Sequence, residues 1–330
     1  MTTLPDFARI NTDLAHPLLG TEVVYATDDF FADKSRLIQP SEPVFIADKY
    51  DDHGKWMDGW ESRRKRGNGY DYCIIKLGAK GTVEGVNIDT RHFTGNYAPA
   101  ASIDACVFDG DVPGDDAAWE TVLDVVKLQG NSPNYFAVSA TGAYTHLRLN
   151  IYPDGGVARL RVYGRVVKDW ASVKADETVD LIAMENGARC LAYSDAHYGS
   201  PLAMTKPGKG ANMGDGWETR RRRGPGFDWA IFELGHAGIV EEIEIDTAFF
   251  KGNYPDAVSI QAFNLPHFHP DTVAAQAIYW PVLLPEMKMK PNNVHMFKSE
   301  IAGLGKITHV RVNMIPDGGI SRLRLYGKLA

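Results

Sequence analysis

The feature that most constrains the fold of this chain is an internal duplication. Residues 57–105 align without a gap to residues 214–262, and more than half of the aligned positions are identical. Residues 145–166 align in the same way to residues 308–329. Because this period is far longer than the roughly 20–50 residues of a solenoid repeat, each copy is predicted to fold as a domain of its own.

A polar stretch at residues 168–180 separates the two copies and resembles neither of them. The total of 330 residues is enough for two domains of ordinary size. The sequence therefore predicts two tandem domains, formed by residues 1–170 and residues 171–330.

Each copy is predicted to be built from short β-strands. "YDYCIIKLG" and "FDWAIFELG" are apolar runs that end in glycine, and "VNIDT" and "IEIDT" alternate apolar and polar residues. Residues 116–128 could form a helix, but the equivalent stretch of the second copy carries Pro281 and Pro285, which a helix interior does not tolerate. Short strands with Gly- and Pro-rich turns favour an all-β fold, a sandwich or jelly roll.

The last strands of each copy are predicted to form a hairpin that pairs two cations. "THLRLNIYPDGGVARLRVYG", residues 145–164, carries an Asp-Gly turn between two alternating runs. This register places Arg148 opposite Arg161, and it places Arg311 opposite Arg324 in the second copy. Because opposed guanidinium groups repel each other, an anion is expected beside each pair.

Two kinds of anion fit this expectation. One is a structural carboxylate such as Glu61 or Glu218. The other is the carboxylate of a bound substrate, held by the two guanidinium groups. His146 and His309 are predicted to lie on the same face as these arginines.

A second repeated motif, D-T-x-x-F-x-G-N-Y, occupies residues 89–97 and 246–254. Its aspartate follows a predicted strand, and Gly-Asn is a turn dipeptide. The motif either braces a loop or lines a polar rim where a small ligand binds. The polar side chains of this rim are Asp89, Asn96, Tyr97, Asp246, Asn253 and Tyr254.

A basic run follows a Trp-Glu pair in each copy, as "DGWESRRKRGNGYD" and "DGWETRRRRGPGFD". A nucleic-acid patch is disfavoured, because the formal net charge is −7 and the isoelectric point is near 5.8. Glu61 with Arg63, and Glu218 with Arg220, are predicted to share a strand face. Each Glu–Arg pair is either a structural ion pair or a site in which the glutamate is a general base and the arginine binds an anion.

Other classes of site lack support in the sequence. Cys73, Cys106 and Cys190 are scattered, which indicates reduced thiols and a cytoplasmic protein rather than a disulfide framework. No spacing typical of zinc ligands, no phosphate loop and no membrane-length apolar run is present, and the N-terminal stretch does not resemble a signal peptide. The pair of histidines in "HFH", residues 267–269, has no counterpart in the first copy and is interpreted as a loop.

At this level of detail the sequence resembles a known family. "MDGWESRRKR", "DYCIIKLG", "IDTRHFTGNYAPAASIDAC" and "THLRLNIYPDGGVARLRVYG" look like the repeated signatures of the allantoicase family. The resemblance covers both copies and nearly the whole chain. It implies two jelly-roll β-sandwich repeats, similar to galactose-binding-like domains, in a homo-oligomer.

The resemblance also implies an activity, the hydrolysis of allantoate to ureidoglycolate and urea in allantoin degradation. It implies no organic cofactor, and the sequence does not indicate a metal. Two alternatives stay open: a non-catalytic double β-sandwich that binds a small acidic or sugar ligand, and a hydrolase of a related ureido acid. Neither nucleic acid nor a membrane is expected as a partner.

The candidate site residues follow from the repeated motifs together with this resemblance. The candidates for acid and base catalysis are Glu61, Asp89, His146, Glu218, Asp246 and His309. The candidates for substrate binding are Arg63, Asn96, Tyr97, Arg148, Arg161, Arg220, Asn253, Tyr254, Arg311 and Arg324. The second copy is expected to hold the better site, because His295 precedes its last strands and the longer loop of the first copy, residues 42–55, could cover it.

Overall fold

The computed structural model describes residues 4–330. The chain divides into two compact units, and the boundary falls between Val167 and Lys168. Each unit is a β-sandwich, so the predicted all-β fold of two tandem jelly-roll repeats is confirmed.

The strands of the first unit are β1 (Thr12–Asp13), β2 (Glu22–Ala26), β3 (Tyr50–Asp51), β4 (Gly54–Lys55), β5 (Trp60–Glu61), β6 (Asp71–Asp89), β7 (Ala100–Cys106), β8 (Glu120–Lys127), β9 (Tyr135–Ala137), β10 (Ala143–Tyr152), β11 (Gly156–Val157) and β12 (Arg159–Val166). The strands of the second unit are β13 (Val179–Asp180), β14 (Arg189–Tyr193), β15 (Trp217–Glu218), β16 (Asp228–Asp246), β17 (Ala257–Phe263), β18 (Val282–Lys288), β19 (Val294–Phe297), β20 (Ile307–Ile315), β21 (Gly319–Ile320) and β22 (Arg322–Leu329).

Helices are few and short. The α-helices are α1 (Asp6–Ile10) and α2 (Pro270–Ala277). The 3-10 helices are Pro17–Leu19, Lys34–Ile38, Trp170–Ser172, Met184–Asn186, Pro201–Thr205 and Met213–Asp215. Within residues 4–330 no helix is long and apolar enough to cross a membrane.

One long strand organises each sandwich. The first part of β6, residues 71–76, pairs with β10 and β2, and β10 continues the sheet to β7 and β8. The second part, residues 81–89, pairs with β12 and β9, and β12 pairs with β1. β16 plays the same part in the second unit. A single strand of 19 residues therefore contributes to both layers.

The core of each unit lies between these layers. In the first unit Ile75 and Leu149 from one layer meet Ile88 and Leu160 from the other. Each such side chain contributes about 1.5–3 kcal/mol by leaving water. Trp60 is fully buried in the same core, as its counterpart is in the second unit.

The predicted hairpin of residues 145–164 is wrong. β10 pairs with β6 and β7, so Leu149 lies opposite Cys73 and Ile103, whereas β12 pairs with the other part of β6. Between them the chain leaves the first layer and forms β11, which pairs with β5. β10 and β12 therefore belong to opposite layers of the sandwich and do not pair.

The predicted arginine pairs are wrong for the same reason. Arg148 in β10 lies opposite Asp104 of β7, and Arg161 in β12 lies opposite Asn87 of β6. In the second unit, the strand partners of Arg311 are Ile231 and Gln261, and the partner of Arg324 is Glu244. No guanidinium repulsion across a hairpin remains to be neutralised.

The prediction that residues 116–128 and their counterpart in the second copy are extended is confirmed for most of their length. Glu120–Lys127 form β8, and the stretch with the two prolines forms β18. Both run beside the strand that precedes them, β7 and β17. Helix α2, which follows His269, was not predicted from the sequence.

Candidate active site

Strand β5 holds a glutamate beside a cavity. The indole of Trp60 is fully buried, and its Nε1 donates to the carbonyl of Asp28 at 2.8 Å. The backbone N–H of Glu61 donates to the carbonyl of Ala32 at 3.1 Å. Because successive side chains of a strand point to opposite faces, the burial of Trp60 turns the Glu61 carboxyl away from the core.

The Gly-Asn-Tyr turn brings an amide to this carboxyl. Asn96 Nδ2 donates to Oε1 of Glu61 at 2.7 Å, and the Asn96 carbonyl accepts from the N–H of Gly156 at 2.7 Å. Tyr97 packs against the core. Gly155 has a φ of +128°, and a Cβ there would lie 2.8 Å from the backbone carbon of Tyr97. Glycine therefore permits the close approach of turn and strand.

The second copy repeats this arrangement. Trp217 Nε1 donates to the carbonyl of Asp195 at 2.9 Å, and Asn253 Nδ2 donates to the carboxyl of Glu218. Tyr254 packs against the core of the second unit. The structure thus brings together the predicted glutamate, asparagine and tyrosine in both copies.

The two glutamates differ in burial. Glu61 is 9% exposed, whereas Glu218 is half-buried. Burial raises the pKa of the Glu61 carboxyl, and the hydrogen bond from Asn96 opposes this rise. A raised pKa leaves more of the carboxyl protonated than an exposed glutamate would be at the same pH. Glu61 therefore has the character of a group that can give and take a proton.

Glu61 lies at the wall of two adjoining cavities. The first, called here the basic cavity, has a volume of about 430 Å³ and is lined by Glu61, Asn96, Tyr97, Arg64 and Lys65, among others. The second, called here the loop cavity, has a volume of about 420 Å³. Both cavities include the side chains of Glu61 and Asn96 in their lining.

One wall of the loop cavity is formed by the segment that only the first copy has at this length, residues 42–55. Three of its side chains, Phe45, His53 and Lys55, line the cavity. His92, from the D-T-x-x-F-x-G-N-Y motif, lines it as well. The predicted cover therefore lies over the glutamate of its own unit.

A buried arginine holds the base of this segment. Arg159 is 1% exposed and forms an ion pair with Asp58 at 2.8 Å. Its guanidinium also donates to the carbonyls of Ser41, Arg36 and Asp58. In the second unit Arg322 forms the equivalent ion pair with an aspartate, at 2.6 Å. The segment is thus attached to the core at both of its ends.

The basic run divides into paired and unpaired cations. Arg63 Nε lies 2.7 Å from Asp28, and Lys65 Nζ lies 2.7 Å from Asp71. The predicted pairing of Arg63 with Glu61 is therefore wrong. Arg64 is exposed, lines the basic cavity, and has no side-chain hydrogen bond or ion pair within the described residues.

The second copy arranges its basic run in the same way but has a different cavity. Arg220 Nε lies 2.9 Å from Asp195, so the predicted pairing of Arg220 with Glu218 is also wrong, and Arg222 forms an ion pair with Asp228. The adjacent cavity has a volume of about 340 Å³. It is lined by the basic run and these two aspartates, and Glu218 is not part of its lining.

The other predicted arginines of the first copy are engaged elsewhere. Arg148 forms ion pairs with Asp104 at 3.0 Å and Asp115 at 3.2 Å. Arg161 Nε lies 3.7 Å from Asp13, and its Nη2 donates to the carbonyls of residues 40 and 41. The anions beside these arginines are structural aspartates, and neither Glu61 nor Glu218 is among them.

The equivalent arginines of the second copy also lie away from Glu218. Arg324 lies 3.5 Å from Asp180 and donates to the carbonyls of Lys206 and Gly208. Arg311 donates to Asn313 Oδ1 at 2.9 Å and lies over the ring of Trp229 at 4.9 Å. Burial lowers the pKa of Arg311.

The predicted aspartates brace their loops. Asp89 is 1% exposed, accepts from the N–H of Arg91 at 2.8 Å and forms an ion pair with its guanidinium. It lines a separate cavity of about 250 Å³ together with Arg161. Asp246 accepts from the N–H of Ala248 at 2.7 Å. The structure does not bring either aspartate to the Glu61 cavities.

The predicted histidines are buried beneath aromatic rings. His146 Nε2 donates to the carbonyl of Asp111 at 3.1 Å, and burial lowers its pKa. His309 packs against Phe268 and Trp280, and burial lowers its pKa to about 4. Neither histidine lines the basic cavity or the loop cavity.

His295 braces the backbone of the second unit. Its Nδ1 donates to the carbonyl of Ile245 at 3.0 Å, and its Nε2 accepts from the N–H of Lys290 at 2.9 Å. In the first unit Asn134 makes the same two kinds of contact, with Ile88 and Gln129. The histidine that directed attention to the second copy therefore has a structural counterpart in the first.

Sequence reasoning missed the histidines of the loop cavity, His53 and His92. One signal was available for His92: within the repeated motif the first copy has "DTRHFTGNY" where the second has "DTAFFKGNY". His53 lies in the unrepeated loop, so the comparison of copies gives no signal for it. Within residues 4–330 no group of three or more His, Cys, Asp or Glu side chains could hold a metal ion.

The duplicated sandwich and its glutamate–asparagine pair define a class, the two-repeat jelly-roll proteins with a polar surface cavity. Both repeats match the family model described as allantoicase repeat, over residues 12–167 and 179–330. The chain belongs to the allantoicase family.

Relatives of this chain carry the same description over their whole length. A protein of Burkholderia pseudomallei described as "Probable allantoicase 2" is 54% identical and covers 99% of this chain and 97% of its own length. A "Probable allantoicase" of Ralstonia nicotianae is also 54% identical, over 98% and 97%. The crystal structure of allantoicase from Saccharomyces cerevisiae superposes with a TM-score of 0.81 at 36% identity, covering 96% of this chain and 92% of that one.

Proposed function

We propose that this chain is an allantoicase, a hydrolase that converts allantoate to ureidoglycolate and urea in allantoin degradation. The observation that carries the proposal is the buried Glu61, held by Asn96 between two adjoining cavities. Membership of the family and full-length similarity to proteins described as allantoicases support the choice of substrate.

The reaction sets clear chemical requirements. Allantoate carries one carboxylate and two ureido groups on a single central carbon. The bond between that carbon and one ureido nitrogen breaks, the nitrogen takes up a proton to leave as urea, and a water oxygen bonds to the carbon. A proton donor and a proton acceptor are sufficient for this exchange, and each contributes about 10²- to 10⁴-fold.

Glu61 suits the role of proton donor to the departing nitrogen. Its raised pKa favours the protonated form, and the amide of Asn96 fixes the orientation of the carboxyl. Its position at both cavities lets one ureido group lie on each side of the carboxyl. Geometry and protonation state therefore agree on the same side chain.

Arg64 suits the role of carboxylate receptor. It lines the basic cavity and lacks a side-chain partner among the described residues, unlike Arg63 and Lys65. A guanidinium can donate two parallel hydrogen bonds to one carboxylate. We assign substrate binding to Arg64 with Asn96 and Tyr97, and we assign Arg148, Arg161, Arg311 and Arg324 to structure.

The first copy is the better candidate for the active unit. Its glutamate is the more buried, and the segment of residues 42–55 lines a cavity beside it. Both features favour the first copy, whereas the sequence led us to expect the better site in the second. Glu218 keeps the same asparagine contact but stands in a more open setting.

A direct assay tests the activity. Purified protein is expected to release one urea per allantoate consumed without any added nucleotide or organic cofactor. The assay includes a panel of divalent metals and related ureido acids. Tight binding of allantoate without release of urea would favour a binding module, and a better rate with another ureido acid would change the substrate.

We also propose that the protein acts in the cytoplasm as a homo-oligomer. Cys73, Cys106 and Cys190 are buried free thiols, which suits a reducing compartment. Tyr279 is 84% exposed, and exposed aromatic side chains are enriched at protein interfaces. Light scattering should give a multiple of 36.4 kDa, and a mass equal to one chain would contradict the assembly.

A further inference from the structure

The loop cavity contains a second group that can exchange protons with a substrate. His92 lines this cavity with Glu61 and Asn96, at about 420 Å³. The ring of His92 is half-buried and stacks with Phe45, at a centroid distance of 6.0 Å and an interplanar angle of 25°. It therefore contacts the segment of residues 42–55 that forms one wall of the cavity.

The hydrogen bonds of His92 fix its tautomer. Its Nε2 lies 3.0 Å from the carbonyl oxygen of Pro43, and a carbonyl can only accept, so Nε2 carries the hydrogen. In the neutral ring the lone pair then resides on Nδ1. No hydrogen bond to Nδ1 occurs within the described residues. His92 thus presents an unoccupied proton acceptor.

The backbone conformation at residue 92 recurs in the second copy, whereas the imidazole side chain does not. His92 has a φ of +71°, a left-handed conformation that is unusual for a residue other than glycine. Its counterpart Phe249 has a φ of +70°. The N–H of each is held by an asparagine side chain at 2.8 Å, from Asn131 and Asn292. The conformation is shared by both copies, so it does not explain the histidine.

The difference in side chain coincides with the difference in cavity. The first copy combines His92, the segment of residues 42–55 and a buried glutamate. The second copy has Phe249, a shorter segment at residues 205–212 and a half-buried glutamate. An imidazole that only filled space would serve either copy equally well. Its occurrence only in the copy whose loop cavity it lines together with Glu61 points to a role in the chemistry of that cavity.

We propose that His92 is the proton acceptor of the allantoate reaction, with Glu61 as the proton donor; this inference rests on the proposed function. The Glu61 carboxyl gives its proton to the ureido nitrogen as the carbon–nitrogen bond breaks, and the bonding electrons leave with urea. The remaining ureido nitrogen shares its lone pair with the central carbon. A water oxygen then bonds to that carbon, and its proton passes to Nδ1 of His92.

The two groups return to their starting states without any other reactant. After one turnover Glu61 is a carboxylate and His92 is an imidazolium, so one proton passed from His92 to Glu61 resets both. The other ionisable side chains that line the same cavity are His53 and Lys55. Next to His92 in the motif, Arg91 pairs with Asp89 and Glu42.

The test replaces His92 by the residue that the second copy carries. His92→Phe and His92→Ala are expected to lower kcat for urea release by about 10²- to 10⁴-fold. KM should change little, and Tm should stay close to that of the wild type for His92→Phe, because Phe249 adopts the same φ. Free imidazole should restore part of the activity of His92→Ala and none of that of Glu61→Gln. Phe249→Leu is the matched control, with unchanged kcat.

Three results would overturn the inference. Wild-type kcat in His92→Phe would remove His92 from the reaction. A loss expressed mainly in KM, or one that imidazole does not rescue, would leave His92 as part of the cavity wall only. Failure of the wild-type enzyme to release urea would instead refute the proposed function, so the two failures are distinguishable.

Discussion

The two repeats share a scaffold and differ in what surrounds it. Both bury a tryptophan, pair a glutamate with an asparagine and hold an arginine–aspartate ion pair in the core. They differ in the segment that follows the 3-10 helix Lys34–Ile38 in the first copy and the 3-10 helix Pro201–Thr205 in the second. In the first copy residues 42–55 line a cavity beside Glu61, and in the second the corresponding segment, residues 205–212, is shorter.

This difference teaches that identity between the copies does not by itself separate scaffold from site, because the proposed site residues Glu61 and Asn96 are identical in the second copy as well. Arg159 and Arg322 are identical buried arginines, and each pairs with a half-buried aspartate. His92 and Phe249 differ although their backbones match. The duplicated chain therefore contains its own control: each functional hypothesis for one copy can be tested against the equivalent residue of the other.

The largest expected effect comes from the glutamates. Glu61→Gln should lower kcat by about 10²- to 10⁴-fold, because the variant cannot donate a proton to the departing nitrogen. Glu218→Gln should leave kcat nearly unchanged. Steady-state urea release from both variants measures the contrast, and equal losses would mean two working sites.

The stability of Glu61→Gln separates chemistry from folding. Burial raises the pKa of Glu61 above its ordinary value of 4.5, so the wild type loses stability as pH rises through the folded pKa. The glutamine variant lacks this loss. Its Tm relative to the wild type should therefore rise from acidic to neutral pH, and a marked fall at pH 7 would show that the carboxylate is structural.

The fold could be predicted from the sequence because each of its signals is local or repeated. The Gly-terminated apolar runs and the alternating runs after them predicted strands at the two parts of β6 and β16, although not that these parts form one continuous strand, and the prolines indicated β18. The register of β10 and β12 could not be predicted, because an alternating pattern is the same for strands that pair and for strands that face each other across a core. The feature that distinguishes the two arrangements here is the short strand β11 between β10 and β12, which the sequence pattern did not reveal.

The site could be predicted in part. Glu61 and Asn96 stood out because their motifs recur, and the structure joins them by a hydrogen bond. Phe45 and His53 lie in an irregular segment with neither periodicity nor counterpart, so their positions depend on tertiary contacts. The polar residues of β10 and β12 looked equally suited to a site, but each found its partner in a neighbouring strand or loop.

The next effect concerns the buried ion pairs. Removal of one partner from such a pair costs about 3–5 kcal/mol, so Arg159→Met and Arg322→Met should each lower Tm. Only Arg159→Met should also lower urea release in protein that is still folded. The reason is that Arg159 donates to the carbonyl of Ser41, at the base of the segment of residues 42–55 that lines the loop cavity. Calorimetry and assays below the transition would reveal the split. Equal urea release by the two folded variants would show that the segment of residues 42–55 does not contribute to catalysis.

A smaller effect is expected for substrate binding by the basic run. Arg64→Ala should raise KM roughly 10- to 100-fold, the loss of a charge-assisted hydrogen bond, with kcat changed much less. Arg221→Ala alters the equivalent position of the second copy and should leave KM unchanged. If the two variants behave alike, the carboxylate is bound elsewhere.

The smallest effect concerns the acid side of the stability profile, where the buried histidines of the two copies differ. Burial lowers the pKa of His309 to about 4 from an ordinary 6.5. Its Nε2 has no hydrogen-bond partner among the residues that the structure describes, whereas His146 donates to the carbonyl of Asp111. Both rings are favoured in the neutral form. Stability from His309 is thus fully present above pH 6.5 and falls as pH decreases toward 4.

His309→Gln should therefore reduce the fall in Tm between pH 7 and pH 4.5, and His146→Gln should reduce it less. Asp180 acts in the opposite direction, since burial raises its pKa to about 6 and its contribution is lost as pH rises through that value. Its effect is the same in both histidine variants and cancels in their comparison. Thermal unfolding at the two pH values measures the difference. If Tm falls by the same amount on acidification in His309→Gln and in the wild type, His309 is solvated. The two copies then do not differ in the environment of this histidine.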